Sequence, residues 1–106
     1  MKHLLNISFA NDHACAAGHF PGNPIIPGAL LLDTVLGAVA IHLNIEPPLW
    51  EVKSAKFPQP ARPGDHVEVS FDIAMNSAIN FACTVSDKIV LTGVASPKPV
   101  GLGKTA

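Results

Sequence analysis

Residues 29–41 read Ala-Leu-Leu-Leu-Asp-Thr-Val-Leu-Gly-Ala-Val-Ala-Ile, a helix-forming run with apolar side chains on nearly every side. A helix of that kind is buried all round rather than laid on a surface. Its start falls at Pro27 or Gly28, because proline is tolerated in a first helical turn, and it runs to about Leu43. Residues 44–48 end it, since Pro47-Pro48 cannot continue a helix. Asp33 and Thr34 interrupt the apolar run, which falls short of the roughly 18 uninterrupted apolar residues that suggest a membrane span. A short, uniformly apolar helix must be wrapped by other parts of its own fold.

The wrapping comes from strands. Residues 3–9 place Leu5, Ile7 and Phe9 on one side with Asn6 and Ser8 between them, a strand-like alternation. After the helix, residues 50–57 read as a second strand. Residues 66–74 form a third, with Val67, Val69, Phe71 and Ile73 alternating against Glu68, Ser70 and Asp72 as in a half-buried sheet. Residues 79–85 and 89–95 flank the turn Ser86-Asp87-Lys88 and make a hairpin. The expected architecture is α+β, one helix embraced by a curled antiparallel sheet of about five strands. No repeat or linker divides the chain, so residues 1–96 are expected to form one domain. Residues 97–106, rich in Pro, Gly and Lys, are expected to form a frayed tail.

Composition narrows the function. Hydrophobic residues make up 48% of the 106-residue chain and charged residues 14%. So small a domain has few places to hide that surface, which points to an oligomer interface or an apolar ligand channel. The net charge of −1 argues against nucleic-acid binding. Lys53, Lys56 and Arg62 come nearest to a basic group, read either as solvated charges or as a docking patch for an acidic carrier protein. Cys15 and Cys83 lack metal-ligand spacing, and the five histidines show no ligand pattern, so neither metal nor cofactor is expected. The first residues do not read as a signal peptide, and the expected location is the cytoplasm, with no membrane partner.

Two features suggest chemistry. Between Gly18 and Gly28 lie Pro21, Gly22, Pro24 and Pro27, which bar regular structure and define a rigid loop. His19 opens that loop and Gly28 closes it at the helix start. A helix N-terminus offers free N–H groups and a positive dipole end to an oxygen gaining negative charge. Asp33 is a lone carboxylate in an apolar helix, a position that is costly if buried unpaired. It lies about a turn and a half beyond Gly28, which suggests that it sits close to those donors. A histidine, a carboxylate and helix-end donors together suit general acid/base work.

The segment His19-Phe20-Pro21-Gly22-Asn23-Pro24-Ile25-Ile26-Pro27-Gly28 resembles the HFPGxPxxPG motif of the 3-hydroxyacyl-(acyl carrier protein) dehydratases, which share the hot-dog fold. Asp33 stands 14 residues after His19, in register with that family's catalytic acid. Lys56-Phe57-Pro58-Gln59-Pro60-Ala61-Arg62-Pro63-Gly64-Asp65 resembles a second family block, KFxxPVxPGD. Asp12-His13 followed by Ala17-Gly18-His19-Phe20-Pro21-Gly22 is similar to the short dehydratase-like proteins of aryl polyene or fatty-acid-type biosynthesis.

The resemblance implies a hot-dog fold and an obligatory homodimer, with histidine and carboxylate from different subunits. It implies that His19 removes the proton beside the thioester carbonyl and Asp33 protonates the departing 3-hydroxyl. The Gly28 N–H would polarise the carbonyl, and the backbone near Ile25 would orient the imidazole. Phe20, Pro21, Gly22, Ile25, Pro27, Leu30, Leu31 and Phe57 are the implied substrate contacts, with the acyl group carried on a carrier protein or coenzyme A. The chain departs from the family in carrying Asp rather than Glu, Gly37 where a glutamine usually follows the acid, and a short leading segment. Two other outcomes fit a chain of this kind: an acyl-thioesterase, or a catalytically silent acyl-binding subunit.

Overall fold

The computed structural model describes residues 2–10, 25–46 and 48–98. Its elements are β1 (Lys2–Ser8), α1 (Gly28–His42), β2 (Leu49–Lys56), β3 (His66–Ile73), β4 (Ile79–Val85) and β5 (Lys88–Lys98). The strands form one antiparallel sheet in the order β1-β3-β4-β5-β2, curled and unclosed, with β1 and β2 as its edges.

Alternation along the strands decides which face is buried. Leu5, Val69, Cys83 and Leu91 stand opposite one another across four strands, and Phe71 pairs with Phe81 in the next row. These rows pack with Leu31, Val35, Leu36 and Val39 of α1 into a single core. Among the described residues, no polar or charged residue is buried in it. Two short connections set the register. The β4–β5 turn holds Ser86 and Asp87 at φ 50° and 68°, the double positive φ of a type I′ hairpin. The β3–β4 turn is closed by the Ala78 N–H donating to Asn76 Oδ1 at 3.1 Å.

β5 runs past Ala95, where the alternation was expected to end, and pairs Pro97 with Trp50 and Lys98 with Leu49. Its partner β4 begins at Ile79, opposite Ala95, so beyond that point β5 has a free side on which a proline is tolerated. The Lys98 Nζ lies 3.0 Å from Glu51 of β2 and holds that exposed carboxyl below its ordinary pKa, with help from Lys53. Residues 99–106, where a frayed tail was expected, lie outside the described residues.

The helix departs from the expectation of burial on every side. Ala29, Asp33, Gly37 and Ile41, four residues apart, form an exposed stripe, and Ile41 keeps 81% of its surface. One sheet covers one side of a helix, and among the described residues nothing lies over the other.

The C-terminal end of α1 closes tightly. The Asn44 N–H donates to Ile41 O (3.0 Å) and the Ile45 N–H to Ala40 O (3.1 Å), a Schellman pair with Asn44 left-handed at φ 57°.

Gly37 sits in mid-helix with nothing within 4 Å of where a Cβ would be. Gly37→Ala is therefore expected to stabilise the chain by about 0.5–1 kcal/mol through backbone entropy alone. Urea unfolding checks this, and a loss of stability would mean that the stripe is tightly packed against another molecule.

Candidate active site

The N-terminal end of α1 borders a cavity of about 370 Å³, lined by Ile25, Ile26, Gly28, Leu31, Phe57 and residues 58–61. Its geometry begins in the proline-rich stretch after β2. Here the Arg62 N–H donates to Asp65 Oδ2 at 2.7 Å and the Gly64 N–H to Phe9 O at 2.8 Å, fastening the loop to the end of β1. The Ile26 N–H donates to Ala61 O at 2.7 Å, so the approach to α1 is held against that loop.

Pro27, at φ −57°, then leads into the helix, and the first helical bond runs from the Leu31 N–H to Pro27 O at 3.0 Å. Among the described residues no side chain caps α1, and no acidic residue stands in its first turn. The N–H groups of Gly28, Ala29 and Leu30 precede that first bond and have no carbonyl of the helix to serve them. The Phe57 ring lies across Gly28, with its atoms only 3.1 Å from where a Cβ would be. Glycine at 28 thus lets an aromatic ring close over the helix end. An apolar cavity with backbone donors at one end suits a molecule with an apolar body and one carbonyl.

Of the residues expected at the site, His19, Phe20, Pro21 and Gly22 lie outside the described residues. Ile25, Gly28 and Phe57 line the cavity, whereas Pro27 is exposed and does not line it. Leu31 lines the cavity, whereas Leu30 packs against the core.

Asp33 is exposed on the outward stripe. It stands about 140° around the helix axis from Gly28 and about 7.5 Å along it. The spacing in sequence had suggested that it lies close to the helix-end donors. Helical geometry instead turns the carboxylate of a chain away from that chain's own Gly28.

The structure brings together three residues that the sequence reading did not connect. The His3 ring stacks on Phe71 (centroids 4.8 Å apart), and His42 meets the two edge-on at 5.4 and 5.6 Å. One-dimensional spacing carries no signal for this cluster, since it joins β1, β3 and the end of α1. Cys83 is no candidate nucleophile, because burial pushes its thiol up to about 12. Among the described residues, no group of three His, Cys, Asp or Glu could hold a metal ion, and no helix is long and apolar enough to cross a membrane.

One helix held in a curled antiparallel sheet of this strand order is the hot-dog fold. The dehydratase heterocomplex ApeI:P from Xenorhabdus doucetiae shares it, with a TM-score of 0.70 at 19% identity over 90% of this chain and 85% of that one. The (R)-hydratase from A. caviae involved in PHA biosynthesis gives 0.64 at 18% identity over 92% and 94%. The sequence model of the ApeI-like family, described as ApeI dehydratase, matches residues 1–94, and the chain belongs to that family.

The 3-hydroxyacyl-(acyl-carrier-protein) dehydratase FabZ of Caulobacter vibrioides is 33% identical over 85 residues, covering 68% of this chain and 54% of that protein. Its counterpart in Haemophilus influenzae strain PittEE is 33% identical over 81 residues, 69% and 53% of the two chains. The chain spans about half the length of these curated relatives.

Proposed function

We propose that the protein is a dehydratase that eliminates water from a 3-hydroxyacyl thioester to leave the trans-2-enoyl thioester. The observation that carries this reading is the disposition of α1. Gly28 and its N–H end border an apolar cavity, while Asp33 faces outward, away from that end of its own helix and open to a second molecule.

A homodimer accounts for both. His19 and Gly28 of one chain and Asp33 of another would then share each site. Exposed Ile41 on α1, Ile45 just beyond it, and Leu49 and Val52 on the edge strand β2 supply apolar surface for a second copy to cover.

In that site His19 takes the proton from C2 and Asp33 gives one to the hydroxyl leaving C3, so that water departs and the double bond forms. The Gly28 N–H receives the negative charge that gathers on the thioester oxygen. Phe20, Pro21, Gly22, Ile25, Pro27, Leu30 and Phe57 would hold the first part of the acyl group. The thioester carrier is an acyl carrier protein or coenzyme A, and the cytoplasm is where such carriers would be met.

The test is the reverse reaction, hydration of crotonyl-coenzyme A and of a crotonyl carrier protein. His19→Ala and Asp33→Asn should each lower turnover by about 10²–10⁴-fold, the usual contribution of a general acid or base. Release of free thiol instead of hydration would mark a thioesterase.

A second reading has its own observation. Position 37, one turn beyond Asp33, bears no side chain to hold the carboxylate, and the ApeI:P structure is a heterocomplex. On that reading this chain is the silent, acyl-binding partner of an active subunit. A folded wild-type dimer inactive on both thioesters would favour it.

A further inference from the structure

A second apolar cavity, of about 390 Å³, lies beside the C-terminal half of α1, bounded by Gly37, Ala40, Ile41, Asn44, Ile45 and Trp50. We propose that this cavity receives the distal end of the acyl chain, and that the missing side chain at Gly37 sets how long or bulky that end can be. The inference rests on the dehydratase reading of Asp33.

Position comes first. Gly37 follows Asp33 on the same outward stripe, one turn on and about 6 Å along the axis. A substrate whose C3 hydroxyl meets Asp33 has its remaining carbons within reach of Gly37. The cavity at Gly28 and Phe57 opens on the other side of α1 and near its other end, where backbone donors suit the thioester carbonyl. In the proposed dimer, the cavity at Gly28 of one chain and the cavity at Gly37 of the other would thus divide the substrate between a polar head and an apolar tail.

Chemistry follows from the walls. Asn44 is the one polar residue among the six, so a charged tail would lose its hydration there without a partner. An alkyl or aryl tail would not. The volume lies within the roughly 300–1,000 Å³ common for ligand pockets. The walls are also held in place: the Schellman pair folds Ile45 back to the helix end, and Trp50 packs against the core from β2. The entrance is open because a Cβ at 37 would meet nothing within 4 Å. Any larger side chain at 37 would project into that space.

Two measurements test the proposal. The first is the ratio of kcat/KM for trans-2-decenoyl over crotonyl thioesters, in the wild type and in Gly37→Leu. The ratio should fall at least tenfold in the variant, because crotonyl ends in a methyl group and the decenoyl tail must pass position 37. The second uses Trp50, the only tryptophan in the chain, as a reporter. Decanoyl-coenzyme A should shift its emission, acetyl-coenzyme A should not, and Gly37→Leu should abolish the shift.

An unchanged ratio overturns the proposal. So does an equal fall on both substrates accompanied by dissociation of the dimer, which would assign the cavity to a side chain of the second copy. If the wild type hydrates neither thioester, the dehydratase reading fails on its own and the Trp50 titration decides the cavity. A decanoyl-specific shift then upholds a tail pocket, and no shift overturns it.

Discussion

Gly93→Ala is expected to destabilise the folded chain by about 2–3 kcal/mol, the range of an overpacked core position. Alanine is ordinarily the better strand residue, since glycine in a strand interior costs about 0.5–1 kcal/mol relative to it. The clash must therefore exceed that gain before any loss is seen. A Cβ at 93 would stand 2.4 Å from the Ser54 carbonyl oxygen and 2.8 Å from the Phe81 ring.

The carbonyl cannot retreat freely. β2 is paired to β5 on both sides of the contact, Ala55 with Gly93 and Ser54 with Val94. The register shift between Val52 and Ser54 is the irregularity nearest to this close approach. Phe81, directly opposite Gly93 on β4, lies in the space that the glycine leaves. To admit a methyl group, β2 must part from β5 and the Phe81 ring must also shift from its place in the core. For a domain of this size the loss corresponds to a fall in Tm on the order of 10–20 °C. Thermal unfolding of Gly93→Ala beside Thr92→Ala, one residue away on the opposite face, separates the clash from a general effect of strand substitution. A change in Gly93→Ala of less than about 0.5 kcal/mol would show that β2 yields at no real cost.

Much of this fold can be read from residue order, and the parts that cannot have physical reasons. Period-two alternation in Val67, Val69 and Phe71 places β3 and its buried face, and Ser86-Asp87 marks the hairpin. The helix is legible from its apolarity and its prolines, but the side it buries is not. With Leu, Val and Ala at nearly every position, no face is more apolar than another, and the sheet decides which residues disappear. The exposed stripe through Asp33 and Gly37 emerges only when α1 is laid on that sheet.

Gly93 likewise reads as an ordinary strand glycine until β2 and β4 are brought to either side of it. The register of Asp33 with the His19 motif is visible in one dimension, whereas the direction in which the carboxylate points is a property of the folded helix. Gly28 was legible as a helix-end donor. The reason that it must be glycine, the Phe57 ring closing over it, lies almost thirty residues away in sequence.

Mixing two inactive variants is expected to restore activity, because Asp33 points away from the helix end that its own chain contributes. On the proposed mechanism, His19→Ala and Asp33→Asn homodimers would each lack one member of every acid/base pair. In a mixed dimer with sites built across the interface, one site combines both substitutions and is dead, while the other has an intact His19 from one chain and an intact Asp33 from its partner. If subunits associate at random, half of the dimers are mixed and each carries one intact site. Turnover should therefore return to roughly a quarter of the wild-type value, against the 10²–10⁴-fold losses of the separate variants.

Differently tagged chains, co-expressed and purified through both tags, isolate the mixed species, in which about half of the wild-type activity is expected. Purified mixed dimers as inactive as either parent would place both groups in one chain. That outcome would require Asp33 to reach the far side of α1, against the direction in which the helix presents it. It would also remove the main reason for an obligatory dimer, leaving the apolar surface of Ile41, Leu49 and Val52 as a packing feature without a catalytic role.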